Sequence, residues 1–276
     1  MKKKVVYILI ACFCAIHASA QNNMKEADSL FFAQDWKAAK NLYEKLLTDT
    51  SSNAIAWNRV GFCYYNLSMN DKAMQCYEKA LKLNTGAGLN ASIYSRMAKI
   101  FAQKNDATKA VEAIDSAINN GYFNLKELDT LSVFNAIRKE QNFITVRNKL
   151  FNSLYPCYTD LHAREFDFWI GEWDVFVTGT KQLAGHSLIQ MVSGGCAILE
   201  NWDSPASTGK SINFIDPNTN KWKQSWSGSY PNGNQEFTNG EYRDSAMHFD
   251  FETKDAQGNK LLGRFTFFNQ GPNQVR

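Results

Sequence analysis

The sequence lacks the marks of several large functional classes. No cluster of Lys or Arg follows Lys4. Nucleic-acid binding needs a basic surface that displaces counterions, so nucleic acid is excluded as a partner, and so is a polybasic membrane patch. No CxxC or CxxH spacing occurs, which removes zinc-ribbon and thioredoxin-like readings. GxSxG, HExxH and a glycine-rich phosphate loop are also absent, so no motif argues for an enzyme, and no cofactor is expected.

The apolar run at residues 5–16 is too short to cross a bilayer comfortably. Lys2, Lys3 and Lys4 precede it, and Ala18-Ser19-Ala20 follow it. This pattern predicts a secretory signal, residues 1–20, cleaved before Gln21. The weaker alternative is lipoprotein processing at Cys12, after Leu9-Ile10-Ala11. The mature protein is expected to be periplasmic or secreted, with no transmembrane span. Of 30 Lys and Arg residues three leave with the signal, and the other 27 balance 27 acidic residues. Four cysteines stay: Cys63, Cys76, Cys157 and Cys196. An exported chain meets conditions that permit disulfides. Cys63 and Cys76 read as two small buried thiols in preference to a pair.

What the sequence has in its first half is a repeat. Trp57, Val60, Gly61, Tyr64, Ala73, Tyr77 and Ala80 carry small residues where two antiparallel helices cross, with large ones around them. The set returns 34 residues earlier as Ala39, Tyr43 and Leu46, and 37 residues later as Ala110, Ile114 and Ala117. Turns are read at Gln34-Asp35, Met69-Asn70-Asp71 and Asn105-Asp106, and a longer loop at 84–90. The pattern resembles the tetratricopeptide repeat, with Thr85 where a final proline is usual. It predicts three repeats, at about 23–50, 54–84 and 91–120, within residues 21–122. Residues 123–157 are expected to cap the stack and link it onward, with helices at 129–137 and 140–154.

The resemblance implies that the first helix of each repeat lines the inner face. Partner contacts are therefore expected at Ile55, Asn58, Phe62, Tyr65, Arg96 and Lys99. A clamp for a C-terminal carboxylate has only Arg96 and Asn58 to offer here, and Phe62 stands where an asparagine is expected. An apolar peptide or helix fits better. The alternative is that Phe62 and Tyr65 pack on the linker or the second domain.

From about residue 158 the texture changes to alternation with frequent Trp, Gly and Asn. Strand-like runs separated by turn signals predict an antiparallel barrel or sandwich at 158–276. Residues 166–177, 194–196, 199–202 and 214–226 resemble a secreted bacterial calycin-like family of unknown function, and Gly171-x-Trp173 resembles the opening of lipocalins. The expected fold is thus α+β: a helical solenoid followed by an antiparallel β-barrel-like domain. Such a barrel encloses one small apolar ligand, with Trp169, Trp173, Trp202, Phe214, Trp222 and Trp226 as its lining; the alternative is a filled core. A closed barrel needs a strand beyond Lys260–Phe268, so a fragment or an open sheet is expected. His186 and His248 read as structural residues and not as haem ligands. Glu172 and Asp174 share a strand face that reads as solvated. The leading reading is a non-enzymatic binding protein. A hydrolase or isomerase in the β domain, or a structural envelope component, are the alternatives.

Overall fold

The computed structural model describes residues 23–49, 52–83, 86–230 and 233–276. The expected signal and Cys12 lie outside the described residues. The chain divides into two compact units, 1–150 and 151–276.

The first unit is helical: α1 (23–32), α2 (Trp36–Asp49), α3 (Ala54–Asn66), α4 (Asn70–Leu81), α5 (Ala87–Gln103), α6 (Ala107–Asn119), α7 (Leu125–Thr130) and α8 (Gln141–Leu154), whose last turn crosses the division. The same turn joins each repeat's two helices. Gln34, Ser68 and Asn105 take left-handed backbone, with φ of 62, 60 and 57°. The next residue's N–H reaches back to the carbonyl of Leu30, Tyr64 or Phe101. These bonds satisfy carbonyls that a helix end leaves open. Asp35 and Asp106 then cap the following helix through the N–H of Ala38 and Lys109. Ala39, Tyr43, Ala73, Tyr77, Ala80, Ala110 and Ile114 are buried, so the small and large positions of the pattern pack as a core.

Two expected elements shift. The loop at 84–90 is shorter, because α5 begins at Ala87 and takes in Gly88. Glycine costs little there, since first-turn N–H groups have no helical partner anyway. The helix expected at 129–137 lies earlier. Asn124 caps α7 through the N–H of Glu127, and Leu131 turns extended and ends it. A 3-10 turn follows at Ser132–Phe134. Arg138 donates to the carbonyls of Leu128 and Leu131 at 3.1 and 2.6 Å, which the break leaves free.

The second unit opens with 3-10 turns at Pro156–Tyr158, His162–Arg164 and Asp167–Trp169. Eight antiparallel strands follow: β1 (Gly171–Phe176), β2 (Leu183–Val192), β3 (Ala197–Asp203), β4 (Thr208–Asp216), β5 (Lys221–Gly228), β6 (Asn234–Arg243), β7 (Ala246–Lys254) and β8 (Lys260–Phe268). Each strand pairs with the next in sequence. Asp244 and Ser245, both at positive φ, make the tight β6–β7 turn.

The sheet is open, one of the two outcomes expected for want of a further strand, and no closed barrel forms. Among the described residues β1 pairs only with β2, and β8 only with β7. Two features occupy the β8 edge and shorten β1. The terminal residues turn back so that Phe268 and Arg276 exchange backbone hydrogen bonds. The register of β1 breaks between Val175 and Phe176. On the inner face Phe166, Trp169, Ile189, Ile198, Trp222, Met247, Phe249 and Phe267 form a dry core. A disulfide, Cys157–Cys196, ties the opening turns to the start of β3. Cys63 and Cys76 are free, and burial pushes these thiols up to about 12 and about 11.

Candidate functional site

The inner face of the sheet is layered. Above the dry core runs a polar layer supplied by four adjacent strands, where cross-strand pairing sets Ser187, Glu200, Ser211, Asn213 and Gln224 on one face. All five are buried. Ser187 Oγ donates to Glu200 Oε1 at 3.0 Å, and Ser211 Oγ donates to Oε2 at 2.8 Å. Gln224 Nε2 and Asn213 Nδ2 in turn donate to Ser211 Oγ, at 3.0 and 3.1 Å. Burial raises the pKa of Glu200, and the two serine hydroxyls oppose that rise.

Beyond the polar layer lies an aromatic rim. Trp202 lies against Gly185 and Trp226 against Gly209, where an added Cβ would stand 2.7 and 2.3 Å from the indoles. Glycine on the neighbouring strand is what lets each ring lie down on the sheet. Trp169, Trp173, Trp202, Phe265 and Phe267 join Ser187 and Glu200 in lining a cavity of about 610 Å³. It opens beside the β1–β2 turn at Thr178–Thr180 and the terminal residues 273–276.

In the helical unit, Phe62 of α3 is the hub of an aromatic cluster. Its ring centroid lies 5.6 Å from that of Phe31, 5.5 Å from Trp36 and 6.2 Å from Tyr65. The guanidinium of Arg96 covers it at 4.1 Å and donates to Asn58 Oδ1 at 2.8 Å. Lys99 pairs with Glu127 at 2.9 Å, and Tyr65 accepts from Gln103. Ile55 is 48% exposed.

Residues 54–84 match the tetratricopeptide repeat family. No curated protein matches the chain. The tetratricopeptide repeat points to a scaffold for protein–protein interaction. Of its predicted contacts, Asn58, Phe62, Tyr65 and Arg96 come together in one cluster on and beside the matched repeat. Asn58 is buried and spent on Arg96, so these two do not stand open as a carboxylate clamp. Ile55 and the paired Lys99 lie outside that cluster.

Of the predicted lining in the sheet, Trp173 and Trp202 wall the cavity and Trp169 forms its floor. Trp222 belongs to the dry core, with its indole N–H on Glu165 at 3.3 Å. Trp226 shares the inner face, but Phe214 lies on the outer one. In Ser211-Ile212-Asn213-Phe214 the polar residues face inward and the apolar ones outward, since Ser211 and Asn213 are buried while Ile212 is 41% exposed. Sequence patterning reads that strand the other way round, and so it passes over the polar layer. Glu200 directly follows the apolar run Ala197–Leu199, but its burial shows only once the neighbouring strands are in place. His186 sits exposed on the outer face against Asp174 at 2.7 Å, and Glu172 beside them is exposed. His248 contacts Thr266 at 3.1 Å, also on the outer face. Among the described residues no group of His, Cys, Asp and Glu is set to hold a metal ion.

Proposed function

We propose that this is an exported, non-enzymatic binding protein whose repeat unit takes a protein segment and whose inner sheet face takes a small ligand. The observation that carries the reading is the cavity of about 610 Å³ walled by Trp173, Trp202 and Phe265 above the dry core. Its size falls within the roughly 300–1,000 Å³ of small-molecule sites. The calycin-like texture of residues 166–177 supports the same use of a curled sheet. Ile55 and the Phe62–Tyr65 stack suit an apolar helix or extended peptide laid along the repeats. Export is supported by the basic, apolar and small-residue order of residues 1–20, and by the disulfide Cys157–Cys196, a bond that persists in oxidising compartments.

Native mass spectrometry of the full chain, expressed with its leader, tests this reading. The expected result is a mature N-terminus at Gln21 and a non-covalent small-molecule adduct that Trp173→Ala with Trp202→Ala abolishes. A chain that keeps Met1 rejects export. An adduct indifferent to both tryptophans rejects the cavity as the site.

A further inference from the structure

The polar layer defines what the cavity recognises, and this rests on the binding reading above. Most hydrogen bonds in the layer run toward Glu200; Asn213 Nδ2 also donates to the carbonyl of Ile198 at 3.2 Å. Gln224 and Asn213 donate to Ser211, Ser211 donates to Glu200, and Ser187 donates to the other carboxyl oxygen. The amide oxygens Asn213 Oδ1 and Gln224 Oε1 accept nothing among the described residues. These two amide oxygens are unused acceptors of the layer. A carboxylate has room for about four donors, and here it receives two. No Lys, Arg or His among the described residues lies within ion-pair distance of Glu200, although it is 9% exposed and so removed from water. A buried carboxyl in this position costs stability unless a cation meets it. The indole N–H of Trp173 is itself spent on the carbonyl of Trp169 at 2.8 Å, which leaves that ring's face to the cavity.

We propose that the cavity binds a small organic amine, its ammonium seated on Glu200 and its apolar body held between Trp173, Trp202 and Phe265. The ammonium supplies several donors to Glu200, which receives only two, and the charge that the fold does not supply. Aromatic faces attract a desolvated cation, so walls and base of the site favour the same ligand. An acid of the same shape brings more acceptors and a second negative charge, and is rejected. A neutral alcohol brings one donor and no charge, and binds more weakly.

Isothermal titration of the full chain with 2-phenylethylamine, 2-phenylethanol and 3-phenylpropionate tests this. The amine is expected to bind at least about tenfold tighter than the alcohol, the smaller end of what a charged buried partner contributes, and the acid not at all. Glu200→Gln keeps the side chain's shape, and is expected to remove the amine's advantage while leaving the alcohol's affinity in place. Equal binding of amine and alcohol to the unaltered chain overturns the amine proposal and leaves the binding cavity standing. This comparison needs no variant to fold. Binding of none of the three overturns the amine proposal and the small-ligand reading together.

Discussion

At Gly61 a Cβ would stand 2.6 Å from Cε1 of Tyr77, on the helix that α3 packs against. Helix propensity favours Ala over Gly by up to about 1 kcal/mol, but overpacking a filled core costs about 1–3 kcal/mol, so the clash wins. Gly61→Ala is expected to lower the thermal midpoint of the helical unit, and an unchanged midpoint would show that Tyr77 can swing aside. Glu200 makes the second prediction at this scale. Its carboxyl holds its proton more tightly folded than unfolded, because burial raises the folded pKa. The contribution of that proton is fully present below the ordinary carboxyl range and is lost as pH rises through the raised folded value. Stability of the sheet unit, read from urea midpoints, is therefore expected to fall over that window. Glu200→Gln, which does not ionise, is expected to flatten the profile and to stabilise the ligand-free unit above it. Gly61 was legible in the sequence because its place in a period is visible. The burial of Glu200 was not, since a carboxylate in a strand reads as solvent-facing until its neighbours are known.

Among elements, the turns between paired helices carry the most direct sequence logic. Asp35 and Asp106 each cap the second helix of their repeat through a side-chain oxygen, whereas Met69 holds the same place in the matched repeat and makes no such bond. Asp106→Ala is expected to lower stability, and Met69→Asp to raise it, because the new carboxylate meets an open N–H at the positive end of α4. Chemical denaturation of the two variants checks both signs. The first strands of the sheet teach the reverse lesson. In β4 strict alternation is present, but both candidate faces carry residues of middling polarity, and pattern alone chose Phe214 for the interior. Pairing with Glu200 on β3 and Gln224 on β5 reversed the choice. Period two reports that a strand has two faces; which face is inside depends on its partners.

For the whole molecule, the disulfide Cys157–Cys196 closes a loop with a sequence separation of 39. Chain-entropy arguments assign such a closure about 4 kcal/mol, mostly by restricting the unfolded chain. Cys157→Ser, or reduction, is expected to lower the unfolding free energy of residues 151–276 by several kcal/mol. Hydrogen exchange at the β2 and β3 amides measures it, and unchanged protection would mean the opening turns hold without the bond. The same scale separates the two units in what their sequences disclose. In the helical unit contacts are local, each helix meeting the next, so a period in sequence is already a map of packing. In the sheet, two things follow from how the strands curl: the inner cavity and the meeting of Ser187, Glu200, Ser211 and Gln224.

By itself the sequence determined the order of helices before strands, the repeat with its small crossing residues, and the turn chemistry that ends each helix. These depend on neighbours within a turn or a hairpin, where spacing along the chain and distance in space are nearly the same thing. Only the tertiary structure decided that Phe214 faces outward, that Cys157 is bridged to Cys196, and that a buried carboxyl sits among hydroxyl donors with no cation. Each of these rests on residues brought together from separate strands or turns. The free energy that fixes them comes from burial and pairing across those strands, which no local pattern records.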